Sequence, residues 1–332
     1  MTDCPALLGV CHGDASASPA PATAPQGRLL VVSPCRDEAR FLRASAASVL
    51  AQSCRPDLWI LVDDGSTDET PAILAQLAAD HRFIRVVTLA NRGGRRVGPG
   101  VVHAFMAGLE AAGIDLRFEY LSKLDVDLIL PPRYFEAVLQ RMDDDPRLGT
   151  CSGKSLVRRE RRLAPEGQGD DMSLGMAKVY RRQCFNDIGG LVPAVMWDGI
   201  DCHRARMKGW RAGSFSHPDV DFEHLRPMGA SHHGLLTGRF RHGRGQHFMG
   251  TGFFYMLASA LNWMRRRPLL LGGGAMLAGW IWSAWRGTPR YDDVEFRRFL
   301  RHYQRNALLL GKRRAQAQAE RGAGVPPGRQ SR

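Results

Sequence analysis

The sequence predicts an α/β fold, a mostly parallel sheet with helices on both faces. Three observations carry this. Short uninterrupted apolar runs, such as Leu29-Leu30-Val31-Val32 and Trp59-Ile60-Leu61-Val62, read as strands buried on both faces. Stretches with apolar residues at helical spacing alternate with those runs. Acidic residues gather where the runs end, at Asp63, Asp64, Asp125 and Asp127. In such sheets, ligands collect at the carboxyl ends of the strands.

Order is expected to begin at Arg28, after an Ala-, Pro-, Ser- and Gly-rich leader over 1–27 that has neither a basic start nor a long apolar run. The first strand ends at Ser33-Pro34. Residues 38–52 place Phe41, Leu42, Ala46, Val49 and Leu50 on one helical face. The second strand runs from Trp59 into a turn at Gly65-Ser66. Residues 67–80 form a helix with Asp68, Glu69 and Pro71 in its first turn. Residues 83–89 make a third strand, 98–113 a helix rich in small residues, and 120–127 a fourth strand ending in carboxylates. The charged, Gly-containing segment 158–171 reads as a mobile loop. Residues 197–210 read as a helix start followed by a helix, and 212–222 as one further strand.

The chain has 332 residues and a formal net charge of +13, with 44% hydrophobic and 24% charged residues. Fibrous and wholly disordered classes are excluded by that balance. The excess charge is local. Residues 226–332 carry 19 Lys/Arg against 4 Asp/Glu, whereas 1–225 carry 27 against 29. A near-neutral body with a basic final third points to an anionic partner for that third: nucleic acid, anionic lipid or a phosphorylated substrate. The seven cysteines are scattered without a C-x-x-C pair, as expected of free thiols in a reducing compartment.

Asp125-Val126-Asp127 sets two carboxylates on one side of a strand end, because side chains alternate with period two. Paired hard oxygen ligands suit Mg²⁺ or Mn²⁺, which can bridge a diphosphate leaving group. Solvated acids or turn caps are the plainer alternative. Four ordered motifs place that pair in context. They are Val31-Val32-Ser33-Pro34-Cys35-Arg36-Asp37-Glu38, Ile60-Leu61-Val62-Asp63-Asp64-Gly65-Ser66-Thr67-Asp68, Asn91-Arg92-Gly93-Gly94 and Lys123-Leu124-Asp125-Val126-Asp127. In order and spacing they resemble the family 2 glycosyltransferases over roughly residues 28–225.

The resemblance implies a GT-A fold, a nucleotide-sugar donor, a divalent metal (Mn²⁺ or Mg²⁺) and inversion at the anomeric carbon. It implies that Pro34, Arg36 and Glu38 line the nucleoside pocket and that Asp63 or Asp64 hydrogen-bonds the base. Asp125 would touch the ribose or the metal, and Asp127 the metal itself. Arg95 and Arg96 could neutralise donor phosphates, or form a solvated basic loop. Asp68 reads as a helix cap. Counting back from Gly209-Trp210, Asp198 falls at the family's catalytic Asp, with Trp197 in place of the acid that often precedes it. A carboxylate at a helix N-terminus stays ionised, as a general base must. Asp201 is the reserve candidate and a simple N-cap the alternative role. His224 stands where many GT-A enzymes place a further metal ligand, and Arg226 could contact the diphosphate.

The final third reads as a separate basic helical, membrane-associated region over 226–311, followed by a disordered basic tail over 312–332. Residues 238–246 hold many donors and no acid, like a lid that clamps phosphates. Residues 245–264 carry no formal charge, and neither do 269–285, which include Trp280, Trp282 and Trp285. A crossing helix needs about 20 apolar residues. A single span would carry a tail with 12 Lys/Arg and 4 Asp/Glu across the bilayer, and a hairpin would put Arg265-Arg266-Arg267 outside. Both conflict with the positive-inside rule. Interfacial or re-entrant helices in the cytoplasmic leaflet fit better, with a transmembrane span or a soluble helix pair as alternatives. Residues 291–310 form a basic amphipathic helix whose apolar face is Phe296, Phe299, Leu300, Tyr303 and Ala307, suited to anionic lipid or to docking on the body.

Together these readings predict an inverting sugar transferase at the cytoplasmic face of the inner membrane. It would use a nucleotide-sugar donor and a lipid-linked or glycan acceptor, as in cell-surface or exopolysaccharide synthesis. Two other classes remain: a catalytically inactive carbohydrate-binding relative, and a basic nucleic-acid-binding protein. The second lacks a recognition motif, so no nucleic-acid partner is expected.

Overall fold

The computed structural model describes residues 26–94, 98–113, 117–160, 162–167, 169–226, 234–265 and 269–322. The first half alternates as expected: β1 (Gln26–Cys35), α1 (Ala39–Leu50), β2 (Leu58–Asp63), α2 (Thr70–Asp80), β3 (Ile84–Thr88), α3 (Pro99–Ala112) and β4 (Arg117–Leu124). Then come β5 (Leu128–Ile129), α4 (Tyr134–Asp144), β6 (Leu148–Ser152), β7 (Ser155–Arg159), β8 (Arg162–Pro165), β9 (Ala177–Arg181), α5 (Arg182–Asp187), α6 (Trp197–Met207), β10 (Arg211–Ser214) and β11 (Phe222–His224). The chain continues through α7 (Leu235–Met249), α8 (Phe253–Met264), α9 (Leu271–Trp285), α10 (Val294–Leu310) and α11 (Lys312–Gly322).

Seven strands form the main sheet in the order β10-β6-β9-β4-β1-β2-β3. β1 pairs in parallel with both β2 and β4, while β9 runs antiparallel between β4 and β6. Strand order therefore reverses at β1, so a crevice opens between the carboxyl ends of β1 and β4. Each face of the sheet has its own core. Leu42, Val49, Leu74 and Phe135 from α1, α2 and α4 pack with Leu29, Val31, Trp59 and Leu61. On the other face Phe105, Phe185 and Cys202 from α3, α5 and α6 pack with Val32, Ile60 and Val62. Alternate residues of the apolar runs point into opposite cores, which is why those runs carry no polar interruption.

Four expectations are corrected. The expected strand over 212–222 is two strands in different sheets, because a turn that includes Pro218 separates β10 from β11. The expected loop over 158–171 overlaps the β7–β8 hairpin, part of a second sheet ordered β5-β11-β7-β8. The expected lid over 238–246 lies inside α7, despite its glycines. A Cβ on Gly243 would sit 1.9 Å from the Met276 carbonyl oxygen, and one on Gly279 would sit 2.1 Å from that of Phe240. The glycines thus let α7 and α9 meet backbone to backbone. The expected disordered tail begins with α11, whose Glu320 carboxylate reaches Arg211 at 3.2 Å.

The amphipathic helix α10 docks on the body. Its Phe296 and Leu300 join Ile200 of α6 and Met249 of α7 in one cluster. Among the described residues no helix is long and apolar enough to cross a membrane.

Candidate functional site

The β1/β4 crevice collects most of the residues singled out from the sequence. Cys35 and Asp63 are register partners, and the Asp64 amide donates to the Cys35 carbonyl at 2.8 Å. Past this point the chains diverge into loops. Arg36 is buried and donates to the Asp64 carbonyl and to Asn91 Oδ1, the latter at 2.9 Å. Asp63 is spent on the turn, since its Oδ1 accepts the Ser66 amide at 2.9 Å. Asp64 pairs with Arg92, so it is the member of the vicinal pair whose carboxylate faces a cationic loop. Asp68 acts as a cap, accepting the Thr70 amide at 2.9 Å and the Ala39 amide at 3.1 Å. Arg95 and Arg96 lie outside the described residues.

At the end of β4, Lys123 pairs with Asp125, leaving Asp127 to face the small sheet. Asp127 Oδ2 lies 3.4 Å from Arg226 Nε and 3.8 Å from His224 Nε2. Arg226 also pairs with Glu38, joining the β1 loop to the β4 end. His224 Nδ1 lies 3.0 Å from Glu166 Oε2, which in turn accepts the Ser155 hydroxyl at 2.7 Å. Glu166 thereby fixes the ring so that Nε2 points at Asp127. Burial and Asp125 raise the Asp127 carboxyl above the usual carboxylate range, against the pull of His224 and Arg226. Burial alone would depress His224, but the Glu166 hydrogen bond and the Asp127 charge raise it.

Among the described residues no three His, Cys, Asp or Glu side chains converge as a closed metal cage. The donor set does fit a divalent ion held jointly with a ligand. It offers a carboxylate and a carboxylate-oriented imidazole, with the remaining positions left to phosphate oxygens. Asp127 and His224 are the residues that could hold it.

The third candidate cluster opens α6. Asp198 lies in the first turn, half-buried, and packs against Gly175, where a Cβ would fall 3.0 Å from Asp198 Oδ2. Asp201 is elsewhere. It is 2% exposed, receives Lys178 Nζ at 2.8 and 2.9 Å, and accepts the Tyr180 hydroxyl. The reserve candidate is thus a core anchor, out of reach of an incoming hydroxyl. Lys178 also donates to the Asp198 carbonyl at 2.9 Å, pinning the start of α6. Burial disfavours its charge, yet Asp201 outweighs that and holds Lys178 above the usual lysine range. The cross-strand partners Lys123 and Lys178 place their ammonium groups 5.4 and 5.5 Å from the Trp197 ring centre. The tryptophan that stands where an acid was expected thus neighbours both buried lysines. Lys178→Ala would strand the Asp201 carboxylate in the core. A loss of about 3–5 kcal/mol is expected, read by chemical denaturation, and Asp201→Asn in the same chain should recover part of it.

Sequence reasoning missed Glu166, Lys178 and Lys123. Lys123 and Lys178 sit inside apolar strands, where an unpaired charge is forbidden, and that was the available signal. Glu166 gave none, because its partner is 58 residues away.

A model described as glycosyl transferase family 2 matches residues 30–194, which include the β1, β2 and β4 ends of this crevice. The chain belongs to glycosyl transferase family 2. Two curated proteins are similar to it. The poly-β-1,6-N-acetyl-D-glucosamine synthase of Staphylococcus aureus is 26% identical over 124 residues, covering 37% of this chain and 27% of that protein. The β-monoglucosyldiacylglycerol synthase of Synechocystis is 25% identical over 189 residues, covering 51% and 37%. The chain thus matches well under half the length of either relative. Among solved structures, a mannosyltransferase of Pyrobaculum calidifontis, in complex with GDP-Man and Mn²⁺, superposes with a TM-score of 0.51 at 18% identity. That alignment covers 91% of this chain and 88% of that one. GalNAc-T7 with UDP, GalNAc and Mn²⁺ gives 0.55 at 13% identity, covering 85% and 57%. The fold of this family 2 chain is therefore GT-A, an α/β sheet that is mostly parallel.

Proposed function

We propose that this chain transfers a sugar from a nucleoside-diphosphate donor to a hydroxyl of a lipid-linked or glycan acceptor, with inversion. The observation that carries the reading is the convergence of Glu38, Asp127, His224 and Arg226 on one crevice at the β1/β4 reversal point. Pro34, Arg36, Glu38 and Asp64 bind the nucleoside, and Asp125 the ribose. Arg226, with Arg95 and Arg96, meets the diphosphate. Asp127 and His224 would hold Mn²⁺ or Mg²⁺, which when bound neutralises charge on the departing diphosphate. Glu166 keeps the imidazole in register.

Asp198 is the general base, taking the proton from the acceptor hydroxyl as the C1–oxygen bond forms and the C1–phosphate bond breaks. The names of the relatives, a polysaccharide synthase and a glycolipid synthase, support an acceptor of cell-surface glycan or glycolipid class. The basic region beyond residue 226 supports a seat on the cytoplasmic face of the inner membrane.

A thermal-shift panel of nucleoside diphosphates with and without Mn²⁺ tests the reading. One nucleotide is expected to stabilise the chain only when metal is added, by about 2.7 kcal/mol at a hundredfold excess over Kd. No shift with any nucleotide would overturn it.

A further inference from the structure

Helices α8 and α9 form an antiparallel hairpin with two opposite characters. Its inner side is tightly closed. Met256, Ala260, Met276 and Trp280 form a separate small core, and a Cβ on Gly273 would lie 2.2 Å from the Ala260 carbonyl oxygen. Its outer side is apolar and uncovered. On α8, Phe254 and Leu261 recur at seven-residue spacing and are 76% and 50% exposed. On α9, Leu271, Ile281 and Trp285 follow one stripe, Trp285 being 79% exposed. The stripes run to the turn between the helices, where Leu269 and Leu270 are 61% and 68% exposed. Neither helix contains a charged residue.

The rim of this face has one sign of charge. Between Glu223 and Asp292 the sequence contains no acid, and Arg244, Arg265, Arg286 and Arg290 are all exposed. Several arginines lie on tryptophan rings: Arg239 over Trp263 at 3.8 Å, Arg244 over Trp282 at 4.7 Å and Arg286 over Trp285 at 5.7 Å. Amphipathic rings and snorkelling cations beside an apolar face suit the depth of lipid headgroups. Cations there favour anionic lipid. The helices, of 12 and 15 residues, are too short to cross.

We propose that the outer face of the α8–α9 hairpin, with its arginine rim, is a wedge that seats this chain on an anionic bilayer surface without spanning it. The proposal deepens the transferase reading above and rests on it for the acceptor. Helix α7 lies between the wedge and the candidate base. It meets α9 at Gly243, and a Cβ on Gly245 would lie 2.7 Å from Met196, two residues before Asp198. A helix is about 10–12 Å across, so roughly one helix, α7, separates the hairpin's inner side from Asp198. An acceptor anchored in the same bilayer, with its hydroxyl at headgroup depth, is the substrate class that geometry serves.

Flotation of the full chain with phosphatidylcholine vesicles, with and without phosphatidylglycerol, tests the wedge with no donor present. Wild type is expected to float with the anionic vesicles. Leu270→Glu combined with Trp285→Glu is expected to bind them at least about tenfold more weakly. Both positions are solvent-exposed, and the melting curve and nucleotide–Mn²⁺ shift of the variant should match wild type. Failure of wild type to float, or equal flotation of the variant, would overturn the proposal. So would concentration-dependent dimers that the variant abolishes, with no vesicle binding. Flotation without sugar transfer to any acceptor would instead sink the transferase reading and leave the wedge standing.

Discussion

Asp198→Asn is expected to lower kcat by about 10³-fold, within the range a positioned general base contributes. The substitution preserves shape and removes only the ability to accept a proton. The fold should persist, because Lys178 grips the Asp198 carbonyl and the neighbouring Asp201 rather than the Asp198 carboxylate. Donor affinity should be unchanged, since the proposed nucleoside pocket lies at β1 and β2. Single-turnover transfer and nucleotide binding, measured on the same preparation, separate the two. Transfer within twofold of wild type would remove Asp198 from the chemistry and leave this cluster without a base, because Asp201 is sealed in the core.

The second large effect is expected at Asp127. Asp127→Ala should reduce transfer by about 10³-fold or more, equivalent to several kcal/mol of lost charge stabilisation at the departing diphosphate. Metal-dependent nucleotide stabilisation should disappear with it. Stability should not suffer. The folded carboxyl titrates above its ordinary value, chiefly through burial and Asp125. At neutral pH its charge is therefore less favourable in the fold than in the open chain. Arg226 keeps Glu38 as a partner. A folded Asp127→Ala protein that retains both transfer and the Mn²⁺-dependent shift would dismiss the β4 end as the diphosphate site.

The parallel half of the sheet was legible because strands buried on two faces carry uninterrupted apolar runs, and β1 and β2 do at Leu29–Val32 and Leu58–Val62. β9 was not, since it carries Lys178 and Tyr180, and the partner that makes those polar groups tolerable lies on α6. The same holds for α7. Its glycines read as flexibility until the backbone of α9 occupies the space that side chains would have filled. In the candidate site, Asp125, Asp127 and Asp198 could be read from motif spacing. What spacing could not convey is division of labour among neighbouring acids. Asp63 serves a turn, Asp68 caps, and Asp201 balances a buried ammonium. Those assignments depend on which donor each oxygen meets, and that is a long-range fact.

The chain's last described helix has a consequence for colloidal behaviour. A sheet ends in two rows of unpaired backbone groups, each a template for another chain. At the β10 edge, Ser214 donates to the Asp170 carbonyl and Gln316 of α11 donates to that of Ala212, at 3.1 and 3.3 Å. Arg147 further ties the Glu320 carbonyl to the same corner at 2.5 Å. The other edge is β3, with Arg85 and Thr88 exposed. Helix α11 thus works as a guard on one flank of the main sheet and leaves the short, charge-bearing β3 as that sheet's open edge among the described residues.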